Sequence, residues 1–213
     1  MTFMSERLER LKKVVQRRQL NLTVILENVH DTHNIGAVLR SCDAVGIQEV
    51  FVLYTEPIKR QNSIILGKKT SGGTRKWLDV HLYTNLEDCM QHVKSKYQTI
   101  YSTHLSSDSK NIYDIDLTQS IAILFGNEKD GISHQALQYA DANISIPQMG
   151  VTQSLNISVA CAITLYESFR QRAQANMYEN NTTMTNKQCE ALWQQYFERN
   201  ELAHKGKMVI KSQ

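Results

Sequence analysis

Three polar segments of this sequence carry side chains that could bind and orient a reacting group. They are His33-Asn34-Ile-Gly36-Ala-Val-Leu-Arg40, then Phe125-Gly126-Asn127-Glu128, then Ile146-Pro147 with Gly150 and Ser154-Leu155-Asn156. Taken singly, each has a structural explanation, since Asn34 or Ser154 can cap a following helix and Glu128 can lie in a plain turn. The guanidinium of Arg40 is almost never neutral, so its chemistry would be to hold an anion rather than to take up a proton.

Several common sites are excluded by their missing motifs. No G-x-G-x-x-G follows the first apolar run, and neither G-x-x-x-x-G-K-[ST] nor G-x-S-x-G occurs. A standard dinucleotide site, a P-loop and the usual hydrolase elbow are therefore not expected. The four cysteines are scattered without a C-x-x-C pair, which predicts reduced thiols rather than a zinc site or a disulfide scaffold. Without a long apolar run or an apolar leader, we expect a cytoplasmic protein that binds no metal and no membrane.

Short β-branched runs alternate with helical patterns through the middle of the chain. Strands are predicted at 22–27, 50–54, 79–83, 98–103, 121–125 and 143–146, and helices at 34–45, 85–97 and 133–140. This alternation predicts an α/β fold with a parallel sheet covered on both faces. Such sheets bind ligands beyond the carboxyl ends of their strands, so the three polar segments should lie in the loops at that edge.

Helical extensions are predicted at both ends of the chain. Ser5 can cap a helix over 5–18, and a further amphipathic helix is predicted at 185–198. Between them, a helix is predicted from about 154 to 176. Its segment Leu155–Phe169 is apolar nearly all round, so it is either central to the core or packed on the sheet and a second subunit. We divide the chain into a basic N-terminal extension (1–20), an α/β domain (21–176) and a C-terminal extension with a tail (177–213).

Basic residues are clustered, although the net charge is only +3. They lie in the first helix, between Pro57 and Asp79, and after the long apolar helix. Clustered cations gain from releasing the counterions of phosphates, which suggests a polyanion partner, whereas the plainer alternative is solvated helix faces and a loop. The candidate nucleic-acid contacts are Arg7, Arg10, Lys12, Arg18, Lys59, Arg60, Lys68, Lys69, Arg75, Arg170 and Arg172.

Together and in this order, the three polar segments resemble the motifs of the SpoU/TrmH family of RNA ribose 2′-O-methyltransferases, in the SPOUT superfamily. N-x-G-A-x-x-R is the first motif, F-G-N-E the second, and I-P…G…S-L-N the third. The resemblance covers residues 5–178 and includes Ser41-Cys-Asp-Ala-Val-Gly46 and Ser168-Phe-Arg-Gln-Arg172. The sequence is most similar to the branch that methylates guanosine 18 in the D-loop of tRNA.

The resemblance implies a parallel sheet with a deep C-terminal trefoil knot, a homodimer, tRNA as partner and S-adenosylmethionine as methyl donor. The catalytic residues that it implies are Arg40, Asn34, Glu128, Ser154 and Asn156. The cofactor would be held near Thr103, Leu124, Gly126, Ile146 and Leu155. Two alternatives stay open: 2′-O-methylation of another RNA site (a tRNA wobble nucleotide or ribosomal RNA), and a non-catalytic RNA-binding relative, which the intact motif residues disfavour.

Overall fold

The structure is a computed structural model that describes residues 2–56, 73–152, 154–179 and 183–204. The helices are α1 (Thr2–Gln16), α2 (Thr32–Ala44), α3 (Leu86–Lys96), α4 (His134–Leu137), α5 (Ile157–Gln174) and α6 (Asn186–His204). The strands are β1 (Leu22–Glu27), β2 (Glu49–Leu53), β3 (Asp79–Tyr83), β4 (Thr99–Ser102), β5 (Lys110–Asn111), β6 (Ile121–Phe125) and β7 (Ala142–Ser145). Two 3₁₀ turns occupy Thr74–Trp77 and Ile112–Asp114.

The seven strands form one sheet in the order β3-β2-β1-β6-β4-β7-β5. Every pairing is parallel, and Ile25 of central β1 lies between Phe51 of β2 and Leu124 of β6. The predicted α/β fold with a parallel sheet is confirmed. Because β1, β6, β4 and β7 are consecutive neighbours, the loops that leave their carboxyl ends share one edge.

Helices cover both faces of the sheet. Successive side chains of a strand point to opposite faces, and β1 shows this directly. Leu22, Val24 and Leu26 pack with residues of α2 and α5 in one apolar cluster, while Ile25 packs with residues of α3 and α4 in another. Each fully buried aliphatic side chain contributes about 1.5–3 kcal/mol, so the two clusters fix the sheet and hence the edge where its loops meet.

The helices at the two ends of the chain pack against each other. Leu11 and Val15 of α1 form a third apolar cluster with Leu192 and Tyr196 of α6. The structure corrects the predicted cap at Ser5, because α1 begins at Thr2 and Ser5 lies inside it. The division into three parts stays a prediction.

Helix α5 buries one side and exposes another. Its Cys161 and Leu165 are buried, whereas Val159 and Tyr166 are 46% and 54% exposed. The trefoil knot implied by the resemblance stays a prediction. Among the described helices, none is long and apolar enough to cross a membrane.

Candidate active site

The first polar segment lies at the start of α2, directly after β1. Asp31, not Asn34, caps this helix: its carboxylate accepts a hydrogen bond of 2.8 Å from the backbone N–H of His33. That hydrogen bond satisfies one of the unpaired donors of the first turn. The capping role considered for Asn34 is therefore wrong, and its side-chain amide makes other contacts.

Asn34 joins all three polar segments. Its Nδ2 donates to the carboxylate of Glu128, 94 residues further along the chain. Its Oδ1 accepts a hydrogen bond of 3.2 Å from Nδ2 of Asn156, which is 122 residues away. We call Asn34, Glu128 and Asn156 the Asn34 junction. Because the bond to Glu128 involves a charged acceptor, it is the stronger of the two.

Asn156 also starts the long helix. Its Oδ1 accepts a hydrogen bond of 2.8 Å from the backbone N–H of Ser158, so Asn156 is the cap of α5. Ser154, which the sequence offered as that cap, is exposed and lies two residues too early. The side-chain amide of Asn156 thus caps the helix with its oxygen and donates to Asn34 with its nitrogen.

The second polar segment is a tight loop that presents Glu128. Asn127 and Gly131 exchange backbone hydrogen bonds of 3.2 and 3.1 Å, and the Asn127 side chain accepts from the N–H of Lys129 at 2.9 Å. A Cβ on Gly126 would overlap the backbone of Gly131, so only glycine permits this closure. Backbone hydrogen bonds therefore fix the shape of the loop, and Asn34 additionally holds its tip through Glu128.

The residues predicted to hold the cofactor gather at the same edge. Thr103 follows β4, and both its N–H and its hydroxyl donate to the carbonyl oxygen of Leu124, at 3.0 and 3.1 Å. Gly126 follows β6, and Ile146 follows β7 and packs on the core. Leu155 is partly buried just before α5. The role of these residues toward a cofactor stays a prediction.

Arg40 is exposed on α2, while its neighbours Val38 and Leu39 are fully buried. The buried side chains fix the helix and with it the position of the Arg40 backbone. Within the described part of the chain, Arg40 forms no ion pair with a carboxylate. Its charge is available to an anion that approaches α2.

Two arginines predicted to contact nucleic acid are instead buried, and the prediction is wrong for both. Arg18 donates from Nε to the Tyr196 hydroxyl at 2.7 Å and pairs with Asp43. Arg172 donates to the carbonyl oxygens of Leu117 and Gln119, at 3.0 and 2.7 Å. Burial lowers the pKa of Arg172 to about 10. Their planar guanidinium groups join distant segments of the fold.

The other predicted cations divide into three groups. Arg7, Arg10 and Lys12 are exposed on α1. Arg75 is partly buried in the first 3₁₀ turn, and Arg170 is exposed but donates to Glu167 at 2.7 Å. The remaining four lie outside the described residues: Lys59, Arg60, Lys68 and Lys69.

A cleft next to α1 concentrates positive charge. It encloses about 420 Å³, and Arg7, Arg10 and Trp77 line it. Desolvation and the nearby charge of Arg7 lower the pKa of Lys76, whose ammonium lies 4.8 Å from the centre of the Trp77 ring. Lys76 belongs to the basic stretch 59–76 that the sequence offered as a candidate RNA-binding surface.

Sequence reasoning also missed Glu27, the last residue of β1. Its carboxylate is fully buried and accepts hydrogen bonds from the backbone N–H and the hydroxyl of Ser133, at 2.9 and 2.6 Å. The signal that could have found it was an acidic residue at the end of an otherwise apolar strand. In the described residues, no group of three or more His, Cys, Asp or Glu is arranged to hold a metal ion.

Comparison with known proteins identifies the family. Residues 21–166 match the SpoU rRNA Methylase family, and the chain therefore belongs to it. A tRNA (guanosine(18)-2'-O)-methyltransferase of Thermus thermophilus is 42% identical over 81% of this chain and 87% of its own length. The enzyme of the same description from Escherichia coli K12 is 39% identical over 84% of this chain and 76% of its own.

Solved structures agree with this assignment. The A. aeolicus TrmH/SpoU tRNA modifying enzyme superposes with a TM-score of 0.80 at 31% identity, covering 98% of this chain and all of that one. The SpoU methyltransferase AviRb from Streptomyces viridochromogenes, solved in complex with AdoMet, has a TM-score of 0.65 at 27% identity, covering 74% of this chain and 62% of that one.

Proposed function

We propose that this protein transfers a methyl group from S-adenosylmethionine to the ribose 2′-hydroxyl of guanosine 18 in tRNA. The observation that carries the proposal is the Asn34 junction, which joins three distant motif segments at the start of α2, the helix that also presents the exposed Arg40. The names of the relatives support the choice of tRNA and of guanosine 18.

The edge formed by β4, β6 and β7 fits the methyl donor in its chemistry. Gly126 permits the tight loop that closes on Gly131, and exposed apolar side chains stand in the adjoining loops, with Leu105 at 71% and Met149 at 96% exposure. No Lys or Arg occurs at 103–109 or 146–152, which suits an adenosine and a sulfonium better than a pyrophosphate. Thr103, Leu124, Gly126, Ile146 and Leu155 would hold the cofactor.

When bound, S-adenosylmethionine supplies an electrophilic methyl group on a sulfonium. The contribution of the chain is to bring the ribose hydroxyl into line with that methyl, which can supply roughly 7–11 kcal/mol of the barrier. Arg40 grips a neighbouring RNA phosphate or the developing alkoxide, and the phosphate or solvent takes the proton. Asn34 positions Arg40 or the ribose, while Glu128, Ser154 and Asn156 fix the loops around them.

RNA binding uses the exposed cations of α1 and the adjoining cleft. Arg7 and Arg10 line the cleft, and Lys76 lies near enough to Arg7 to feel its charge, so this surface attracts the phosphate backbone through counterion release. The target guanosine has to leave its stack, at a cost of a few kcal/mol. Phosphate contacts away from the reacting ribose provide that free energy.

A homodimer is part of the proposal. Val159, Tyr166 and Phe169 form an apolar side of α5 that is exposed in the single chain, and a second copy would cover it. The cytoplasm is the proposed compartment, because all four cysteines are free thiols, as expected where thiols stay reduced.

The test is methylation of unmodified tRNA with methyl-labelled S-adenosylmethionine, followed by mapping of the modified ribose. We expect one label, at guanosine 18. A matched tRNA with 2′-deoxyguanosine at that position removes the nucleophile and should remain unlabelled. Label at another nucleotide, or in ribosomal RNA alone, would contradict the assigned substrate.

Arg40→Ala tests the assigned chemistry. We expect loss of methyl transfer with tRNA affinity unchanged within a few-fold, because one exposed charge contributes little to a binding surface of many cations. A fully active Arg40→Ala enzyme would refute the role given to Arg40. Arg17→Ala, which removes an exposed arginine that pairs with Glu179 at 3.3 Å and has no assigned role in binding or chemistry, serves as the control.

A further inference from the structure

Glu27 is a buried carboxylate that forms no ion pair with any described residue. Its side chain is fully buried at the carboxyl end of β1. The ion pairs within the described ranges all involve other carboxylates. Burying a charge in this way is expensive unless hydrogen bonds compensate for it. Its presence therefore calls for a reason beyond packing.

The two oxygens of Glu27 match two donors of one residue. Oε2 accepts from the backbone N–H of Ser133 at 2.9 Å, and Oε1 accepts from its hydroxyl at 2.6 Å. Glutamine has nearly the same shape, but its Nε2 would face one of these donors. In the observed arrangement both donors point at Glu27, and a glutamine fits only if the Ser133 hydroxyl turns away and accepts from Nε2 instead of donating.

Ser133 marks the point where the loop after β6 returns to the fold. Its hydroxyl oxygen accepts from the N–H of Ala136 at 3.1 Å and so caps α4. The loop is closed near its start by the pair Asn127–Gly131, and its tip is held by Asn34. Glu27 supplies the third attachment, at the end of the loop.

We propose that Glu27 is a positioning residue that shapes the S-adenosylmethionine site by fixing the loop 126–132, an inference that rests on the proposed function. Glu27 acts through Ser133 and touches neither substrate. Loss of its second acceptor frees the end of the loop, and the sheet edge at Gly126, where the cofactor would lie, loses its fixed shape. Cofactor binding suffers first, while the RNA surface on α1 is unaffected.

The experiment measures S-adenosylmethionine affinity by calorimetry, together with tRNA affinity and kcat at saturating cofactor, for Glu27→Gln and Ser133→Ala. We expect each variant to bind the cofactor about 10- to 100-fold more weakly, as for a lost hydrogen bond to a charged group. The double variant should bind the cofactor no more weakly than the more affected single variant, because both substitutions remove the same interaction. Affinity for tRNA should change by less than about threefold, because neither substitution alters the RNA surface on α1.

Glu49→Gln is the matched control, since Glu49 is also a largely buried carboxylate but lies at the amino end of β2. We expect it to lower thermal stability and leave cofactor affinity unchanged. Cofactor affinity of Glu27→Gln equal to that of the parent chain overturns the inference, and so does an equal loss in Glu49→Gln. If Glu27→Gln does not fold, unchanged affinity in Ser133→Ala overturns it. A parent chain that binds no S-adenosylmethionine refutes the proposed function instead.

Discussion

Exchanging the donor and the acceptor in the hydrogen bond between Asn34 and Glu128 tests the Asn34 junction directly. Asn34→Asp keeps the size of the side chain but places a second carboxylate against Glu128, and it removes the amide donor. Adding Glu128→Gln restores a donor and an acceptor in reversed order. Asn156 can donate to either an amide or a carboxylate oxygen at position 34.

The magnitude follows from the chemistry of the bond. A hydrogen bond to a charged group contributes about 1.5–3 kcal/mol, and two carboxylates at about 4 Å in water repel by about 1 kcal/mol. Because Glu128 is exposed, water replaces part of the lost bond. We therefore expect Asn34→Asp to raise the activation free energy by about 2 kcal/mol, which lowers kcat roughly 30-fold. The double variant should recover to within about threefold of the parent by the same estimate.

The assay is the initial rate of methylation of an unmodified tRNA transcript, with both substrates saturating. Glu128→Gln alone is the control and should show a smaller loss, because an amide pair can still form one hydrogen bond. A double variant no more active than Asn34→Asp would refute the claim that the reaction depends on the hydrogen bond between Asn34 and Glu128. It would indicate that the Asn34 amide contacts the substrate itself.

Three further predictions concern RNA binding, the tight loop and acid stability. Replacing Arg7, Arg10 and Lys12 by Gln should weaken tRNA binding and flatten its log–log salt dependence by up to about 0.9 per lost phosphate contact, and an unchanged slope would exclude α1. Gly126→Ala should reduce S-adenosylmethionine binding in a titration, since its Cβ overlaps Gly131; normal binding would contradict the closed loop. Burial raises the pKa of Glu49, but hydrogen bonds from His81, Lys96 and Tyr97 outweigh it and lower the pKa from 4.5 to about 2. The free energy of unfolding of the parent should therefore fall by about 3 kcal/mol relative to that of Glu49→Gln as the pH falls from 4.5 towards 2. Urea unfolding measures this difference, and parallel pH profiles of the two proteins would contradict it.

The sheet was predictable because its strands carry a strong local pattern. β1, β3 and β6 have the predicted bounds, and the other long strands differ by one or two residues. β5 has only two residues, too few for a pattern, and was missed. The caps of α2 and α5 were misassigned by three and two residues, because several polar side chains precede each helix and the backbone conformation decides among them.

Charge alone could not separate surface cations from buried ones. Arg18 and Arg172 stand in basic runs, yet carbonyl oxygens and a tyrosine hydroxyl from distant segments surround them. The three motif segments could be placed at one edge of the sheet, because parallel strands align their carboxyl ends. The exchange of hydrogen bonds within the Asn34 junction depends on side-chain geometry, which spacing does not encode.

The contact between Arg18 and Tyr196 spans 178 residues. During translation, α1 leaves the ribosome long before its partner helix is made, and its apolar stripe of Leu11 and Val15 stays uncovered until then. Contacts of such long sequence separation form late and slow the search for the folded state. Nearly the whole polypeptide must therefore be synthesised before α1 and α6 can pack together. A chaperone that shields Leu11 and Val15 until then would raise the yield of correctly folded protein.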